Sequence, residues 1–183
     1  MNSFKKYLPI TIRILVSALF ILSAVAKLYP IWAFEKQLVD LGIVDWCAAP
    51  YLSRLLIALE LAIALALLQK NYLKSFVIPL TILLLIAFCI HLGVQIYQNG
   101  ANNGNCGCFG QLIPMTPLEA LIKNIVTIAL LIYLYRNVEN KSKGENRFVY
   151  LLFIYFLSAF LVFFSFPFCP CNKKVENKIT SPT

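Results

Sequence analysis

Charge is what this chain has least of. Only 13% of its 183 residues are Asp, Glu, Lys or Arg, against 60% hydrophobic ones, and the mean hydropathy is +0.77. Soluble domains carry about 25% charged residues, so the composition excludes one and marks an integral membrane protein. Acidic groups are the scarcest, eight against sixteen basic ones, for a formal net charge of +8. The basic residues are scattered between apolar runs and form no face with interleaved aromatics, so no nucleic acid is expected as a partner. Six cysteines are too few for a disulfide scaffold, but two close pairs among them point to redox or metal chemistry.

Five apolar runs are long enough to span, for which about 20 residues suffice. They are Leu8 to Leu28, Tyr51 to Gln69, Ser75 to Tyr97, a run ending at Tyr135, and Phe148 to Phe168. The third holds no charged residue and the fifth holds none either. Lys5, Lys6 and Ala24-Val25-Ala26 imitate a cleavable leader, but four further spans need no leader, so the first run is expected to stay as a helix. Between the first two spans, Ile31, Phe34, Leu38 and Leu41 share one helical face, with Glu35, Lys36 and Asp40 away from it and Trp32 and Trp46 nearby. That pattern predicts a short helix lying in the interface. Thr116-Pro117-Leu118-Glu119 predicts the start of the fourth span, with Thr116 as N-cap, Pro117 at the first position and Glu119 closing a capping box.

The expected fold is therefore an all-α integral membrane protein, a four-helix bundle core plus a fifth C-terminal transmembrane helix. Residues 1–147 are expected to form the four-helix domain, 148–168 the additional helix and 169–183 a short tail. Five spans place the first loop, the third loop and the tail on one side of the membrane. Those segments hold Cys47, Cys106, Cys108, Cys169 and Cys171, and Cys89 lies in the third span on its way there. The opposite side carries Lys5, Lys6, Lys70, Lys74, Arg136, Lys141, Lys143 and Arg147, whereas the cysteine-side loops have only Lys36 clear of a helix end. Basic residues stay inside, so the cysteines are expected to face the oxidising periplasm of a bacterial inner membrane, although Lys173, Lys174 and Lys178 in the tail count against this.

The chemistry concentrates at Asn105-Cys106-Gly107-Cys108-Phe109-Gly110, within the charge-free polar segment Gln98 to Thr116. A Cys-x-Cys pair closes a small strained disulfide or presents two soft sulfurs to a metal, and strain makes such a bond the more oxidising. As a static cross-link it would gain little, because the loop it closes is so short. Cys169-Pro170-Cys171 offers a second pair, whose direct closure Pro170 restricts. Exchange with Cys106 or Cys108 and joint ligation of Cu(I) are both open to it, as is an inert place on a loose tail. Cys47 is left as a partner for any of these or as an unreactive surface thiol, and Cys89 reads as a packing residue.

Three further residues form a candidate cofactor or proton site. Glu60 is costly in mid-membrane and must face the bundle interior, stay protonated or find a cation such as Arg13. His91, the only histidine, lies below the cysteine surface and fits hydrogen-bonded packing as well as ligation. Arg54 and Lys27 lie near that surface, where they either depress a thiol pKa or snorkel. A membrane quinone would be the natural electron sink in this setting.

With these residues in view, the chain resembles the MauE (methylamine utilization) branch of the DoxX-like family of small bacterial inner-membrane proteins. The likeness rests on the Arg13 to Lys27 first helix with its Ser23-Ala24-Val25-Ala26-Lys27 end, on Leu59-Glu60-Leu61, and on Cys106-Gly107-Cys108-Phe109-Gly110 ahead of Thr116-Pro117. It covers about Ile10 to Tyr135. It implies a four-helix bundle related to membrane disulfide-handling proteins and a part in maturing a disulfide-rich periplasmic partner, which in the namesake system belongs to methylamine metabolism. A fifth helix with Cys169 and Cys171 departs from that pattern. The expected function is a thiol–disulfide oxidoreductase in which Cys106 and Cys108 exchange with a periplasmic thioredoxin-like or disulfide-rich client and Cys169 and Cys171 relay. The alternatives are a Cu(I)-handling membrane protein and a non-catalytic scaffold.

Overall fold

The computed structural model describes residues 2–40, 42–69, 72–100, 115–138 and 148–165. Six α-helices account for nearly all of them: α1 (Asn2–Leu28), α2 (Ile31–Asp40), α3 (Ala49–Leu68), α4 (Ile78–Asn99), α5 (Pro117–Asn137) and α6 (Phe148–Ser165). Five are long and apolar enough to cross a bilayer: α1, α3, α4 with the turn before it, α5 and α6. Helices are what such runs must form, since backbone N–H and C=O groups in hydrocarbon have no water to bond and must satisfy one another.

The predicted capping box opens α5. The Thr116 hydroxyl accepts the Glu119 N–H at 3.3 Å and the Glu119 carboxylate accepts the Thr116 N–H at 2.9 Å. A π-helical turn, Leu73–Val77, leads into α4. It is set up by Tyr72, whose φ of 50° lies in the left-handed region and whose carbonyl accepts the N–H groups of Phe76 and Val77 at 2.9 and 3.1 Å.

The helix ends sort by packing. Arg13 and Ser17 of α1 meet Leu67 and Ala64 of α3, while Ser23 and Lys27 meet Glu60, so these two helices run antiparallel. Val162 of α6 packs with Ala24, Phe34 and Ile57 at one end of the bundle. At the other end Phe148 meets Tyr72 and Phe76 edge-on, and the Lys74 ammonium donates to the Val138 carbonyl at 2.9 Å. The cysteine-side helix ends are therefore Leu28, Ala49, Asn99, Pro117 and Ser165.

Two cores follow. The larger, around Val16, Leu67, Ile78, Leu131 and Leu134, fills the end opposite the cysteines. The smaller joins Ala24, Ile57, Ala58 and Val162 beneath Phe34 and Leu38 of α2, which lies across this end as a lid. The amphipathic reading of α2 holds at Phe34 and Leu38, with Lys36 and Asp40 exposed; Leu41 lies outside the described residues. Glu35 is the correction. It turns inward to Arg54 instead of pointing away, because a cation beneath α2 offers it a partner (2.7 Å).

Candidate functional site

Two layers of chemistry occupy the cysteine end. The outer one is sulfur. Cys47, exposed in the turn before α3, is disulfide-bonded, whereas Cys89 is a free, half-buried thiol on α4. The other sulfur of the Cys47 bond lies outside the described residues. So do Cys106, Cys108, Cys169 and Cys171, which are joined in sequence to helix ends on this side. Of the two roles left open for Cys47, the inert surface thiol is therefore excluded.

The inner layer is a buried polar cluster, built on one stripe of α1. Residues 13, 17, 20, 24 and 27 follow the helical repeat, and all five are buried. The Arg13 guanidinium donates to the carbonyls of Leu67, Leu68 and Gln69 at 2.8, 2.6 and 3.0 Å, satisfying the last turn of α3, which has no partner within its own helix. Arg13 is thus not the cation for Glu60. It pairs at the level of Leu67, seven residues along α3 from Glu60, which is about 10 Å at the helical rise. The partner is Lys27, whose ammonium donates to Glu60 Oε1 and, at 3.0 Å, to Ser23 Oγ. Ser23 Oγ donates in turn to Glu60 Oε2 at 3.3 Å. Lys27 and Glu60 are 3% and 5% exposed, so this pair is fully desolvated. Side chains on a helix lean toward its N-terminus, which lets Lys27 reach back into the bundle instead of snorkelling outward. Its Nζ also lies 5.6 Å from the Phe34 ring centroid and 5.8 Å from that of Phe88.

The three residues expected to form one cofactor or proton site are not brought together. Glu60 belongs to the Lys27 cluster. Arg54, 3% exposed, is held by Glu35 at 2.7 Å and the Pro50 carbonyl at 2.8 Å, pinning α2 onto α3. His91 is half-buried on α4 and does not line the cavity that Glu60 lines.

That cavity lies between α1, α3, α4 and α5 and leaves about 40 Å³ for water-sized occupants. Its polar lining is Ser23, Lys27, Glu60, Lys123, Asn124 and Thr127. The last three were missed from the sequence, although polar residues at 123, 124 and 127 in an otherwise apolar span follow a helical face and could have been noticed. Cys89 stands beside Lys123 and Asn124, which ties it to this cluster. No group of three or more His, Cys, Asp and Glu side chains among the described residues is placed to hold a metal ion.

The model of the family described as methylamine utilisation protein MauE matches residues 5–136. The chain belongs to the MauE family. That match ends with α5, so α6 lies beyond the family's common part. The chain is also similar to Protein TlpB of Flavobacterium psychrophilum, with 47% identity over 182 residues, 96% of this chain and 48% of that protein. This likeness runs through α6 as well, and the MauE-family chain spans about half the length of that curated relative. No solved structure matches.

Proposed function

We propose that this MauE-family protein is a bacterial inner-membrane thiol–disulfide exchange protein. Its Cys106/Cys108 pair exchanges disulfides with a periplasmic thioredoxin-like or disulfide-rich client, and Cys169 and Cys171 relay electrons to or from that pair. The observation that carries the reading is the Cys47 disulfide. An exposed sulfur at the cysteine end is already oxidised, which fits a surface in a disulfide-forming compartment. The family supports a membrane setting and a methylamine-utilisation context in its namesake. The balance of basic residues supports the periplasmic placement.

Each exchange conserves electrons. A client thiolate attacks one sulfur of the loop disulfide, the other sulfur leaves as a thiolate, and a second client thiolate resolves the mixed disulfide, leaving the loop pair reduced and the client oxidised. The reverse sequence reduces a client.

Variants C108S and C171S test this in the reducing direction, in which Cys106 attacks a client disulfide and Cys108 resolves the mixed disulfide. C108S removes that resolving thiol, as C171S does for the Cys169 relay. C108S should accumulate a mixed disulfide between Cys106 and a periplasmic protein, and C171S one joining Cys169 to the loop, both released by dithiothreitol. If neither variant yields such a species, and an impermeant maleimide labels single-cysteine chains at Cys106 and Cys171 only after the inner membrane is broken, the reading is wrong.

A further inference from the structure

The sulfurs available for exchange in this chain are odd in number. Of six cysteines, Cys89 is a free thiol, half-buried on α4 and hydrogen-bonded to Asn124, which holds it within the bundle. Cys47, Cys106, Cys108, Cys169 and Cys171 remain. Cys47 is disulfide-bonded, and with Cys89 free its partner is one of the other four. We propose that Cys47 is a third redox station beside the two Cys-x-Cys pairs, an exchanging sulfur that alternates between a bond to one pair and release as that pair closes. This rests on the thiol–disulfide reading above and deepens it.

A bond from Cys47 to any of the four takes one sulfur out of a Cys-x-Cys pair, so the two pairs are never both closed while that bond stands. With two disulfides among these five sulfurs the chain is fully oxidised and still keeps one thiol. Once the other pair has closed, that thiol is the mate of the sulfur bonded to Cys47, two residues from it in sequence. Exchange needs a thiolate with access to a disulfide sulfur, and a neighbour so near in the chain is held at high effective concentration.

The step balances within the chain. The mate loses its proton to water, its thiolate attacks the bonded sulfur of its own pair, a Cys-x-Cys disulfide forms, and Cys47 leaves as a thiolate. No electron enters or leaves the protein, and attack by the Cys47 thiolate on the new bond restores the first state. Opposing costs keep both states within reach: strain in the small Cys-x-Cys ring on one side, the tying of a distant segment to Cys47 on the other. Cys47 is placed to leave and return. It is exposed, in a turn where the Asp45 carbonyl accepts the N–H groups of Ala48 and Ala49 at 3.0 and 2.9 Å. The buried Ala49 opens α3 two residues later and fixes this turn to the bundle, and the positive end of that helix favours a thiolate. In the released state, the sulfur offered to a client disulfide is Cys47 itself.

The test uses the purified full chain in nanodiscs, oxidised with diamide, freed of it and left to equilibrate before a pulse of N-ethylmaleimide. Labelled cysteines are then identified by peptide mass. Besides Cys89, about one label per chain is expected, divided between Cys47 and one cysteine of a pair. In C47S four sulfurs are left, both pairs close, and label outside Cys89 falls to none. An odd label found on one pair cysteine alone, with Cys47 never labelled, means a static cross-link and overturns the proposal. A disulfide-linked dimer on a non-reducing gel overturns it too, since the odd sulfur then lies between chains, as does a label outside Cys89 that persists in C47S. Mapping of the native sequence decides the matter if C47S does not fold. No client is needed: divided label without a mixed disulfide in C108S keeps the internal exchange and removes the client reading, and the converse removes only the exchange at Cys47.

Discussion

α3 and α6 pack along each other and are opposites. More than half of α3 is inside the bundle, 56%, against 11% of α6, so α3 is the axis and α6 faces lipid on most sides. α3 owes its place to small residues and fixed charges. Ala49, Ala58, Ala62, Ala64 and Ala66 are buried and admit neighbours closely, while Arg54 and Glu60 each find an opposite charge on another helix. α6 is the more hydrophobic helix, yet its buried polar contact is Ser158, which donates to the Ile154 carbonyl of its own turn at 2.8 Å. Hydrophobicity does not drive helices together in lipid, because lipid tails are as apolar as leucine. Close packing and polar bonds between helices do, and α3 has both.

The comparison can be broken by five variants, read as unfolding free energies from dodecyl sulfate titration in mixed micelles. E60L strands a buried ammonium and should cost about 3–5 kcal/mol. The double change K27M with E60L should recover most of that loss, because an apolar pair replaces the ionic one; no recovery would mean that the pair is not the source. R13L removes three hydrogen bonds to the end of α3. At about 0.6 kcal/mol for a bond between membrane helices the loss is about 2 kcal/mol. T116A removes the α5 cap for about 1 kcal/mol. S158A on α6 should change stability by no more than about 0.5 kcal/mol, since its bond lies within one helix. An S158A cost equal to that of R13L would erase the contrast between the two helices.

Much of the fold was legible because lipid leaves few choices. Charge-free runs of the right length predict the spans, and the α5 cap follows from four residues at its start. The partner of Glu60 was not legible. Choosing between Arg13 and Lys27 needs the register of α1 against α3, and that is set by packing over the whole interface. Glu35 was misplaced for a related reason, since its partner Arg54 is 19 residues away and local amphipathicity knows nothing of it. The bonded state of Cys47 depends on another segment of the chain and is likewise absent from local pattern. The tyrosine in the left-handed region at position 72 broke the rule that such backbone favours glycine. The four cysteines of the two close pairs lie outside the described residues, and for them the sequence reading stands as the proposal above.

The Lys27–Glu60 pair also bears on how the chain enters the membrane. A charged residue near the centre of a span raises the insertion cost by about 2.5–3.5 kcal/mol; Glu60 is such a residue in α3, and its partner Lys27 stands at the end of α1, the neighbouring span in the chain. Neutralisation must wait until α3 has been made, and it then follows from the next span in the chain without calling on any later one. Pairing of neighbours in order of synthesis lets α1 and α3 leave the translocon as a matched hairpin onto which α4, α5 and lastly α6 can assemble.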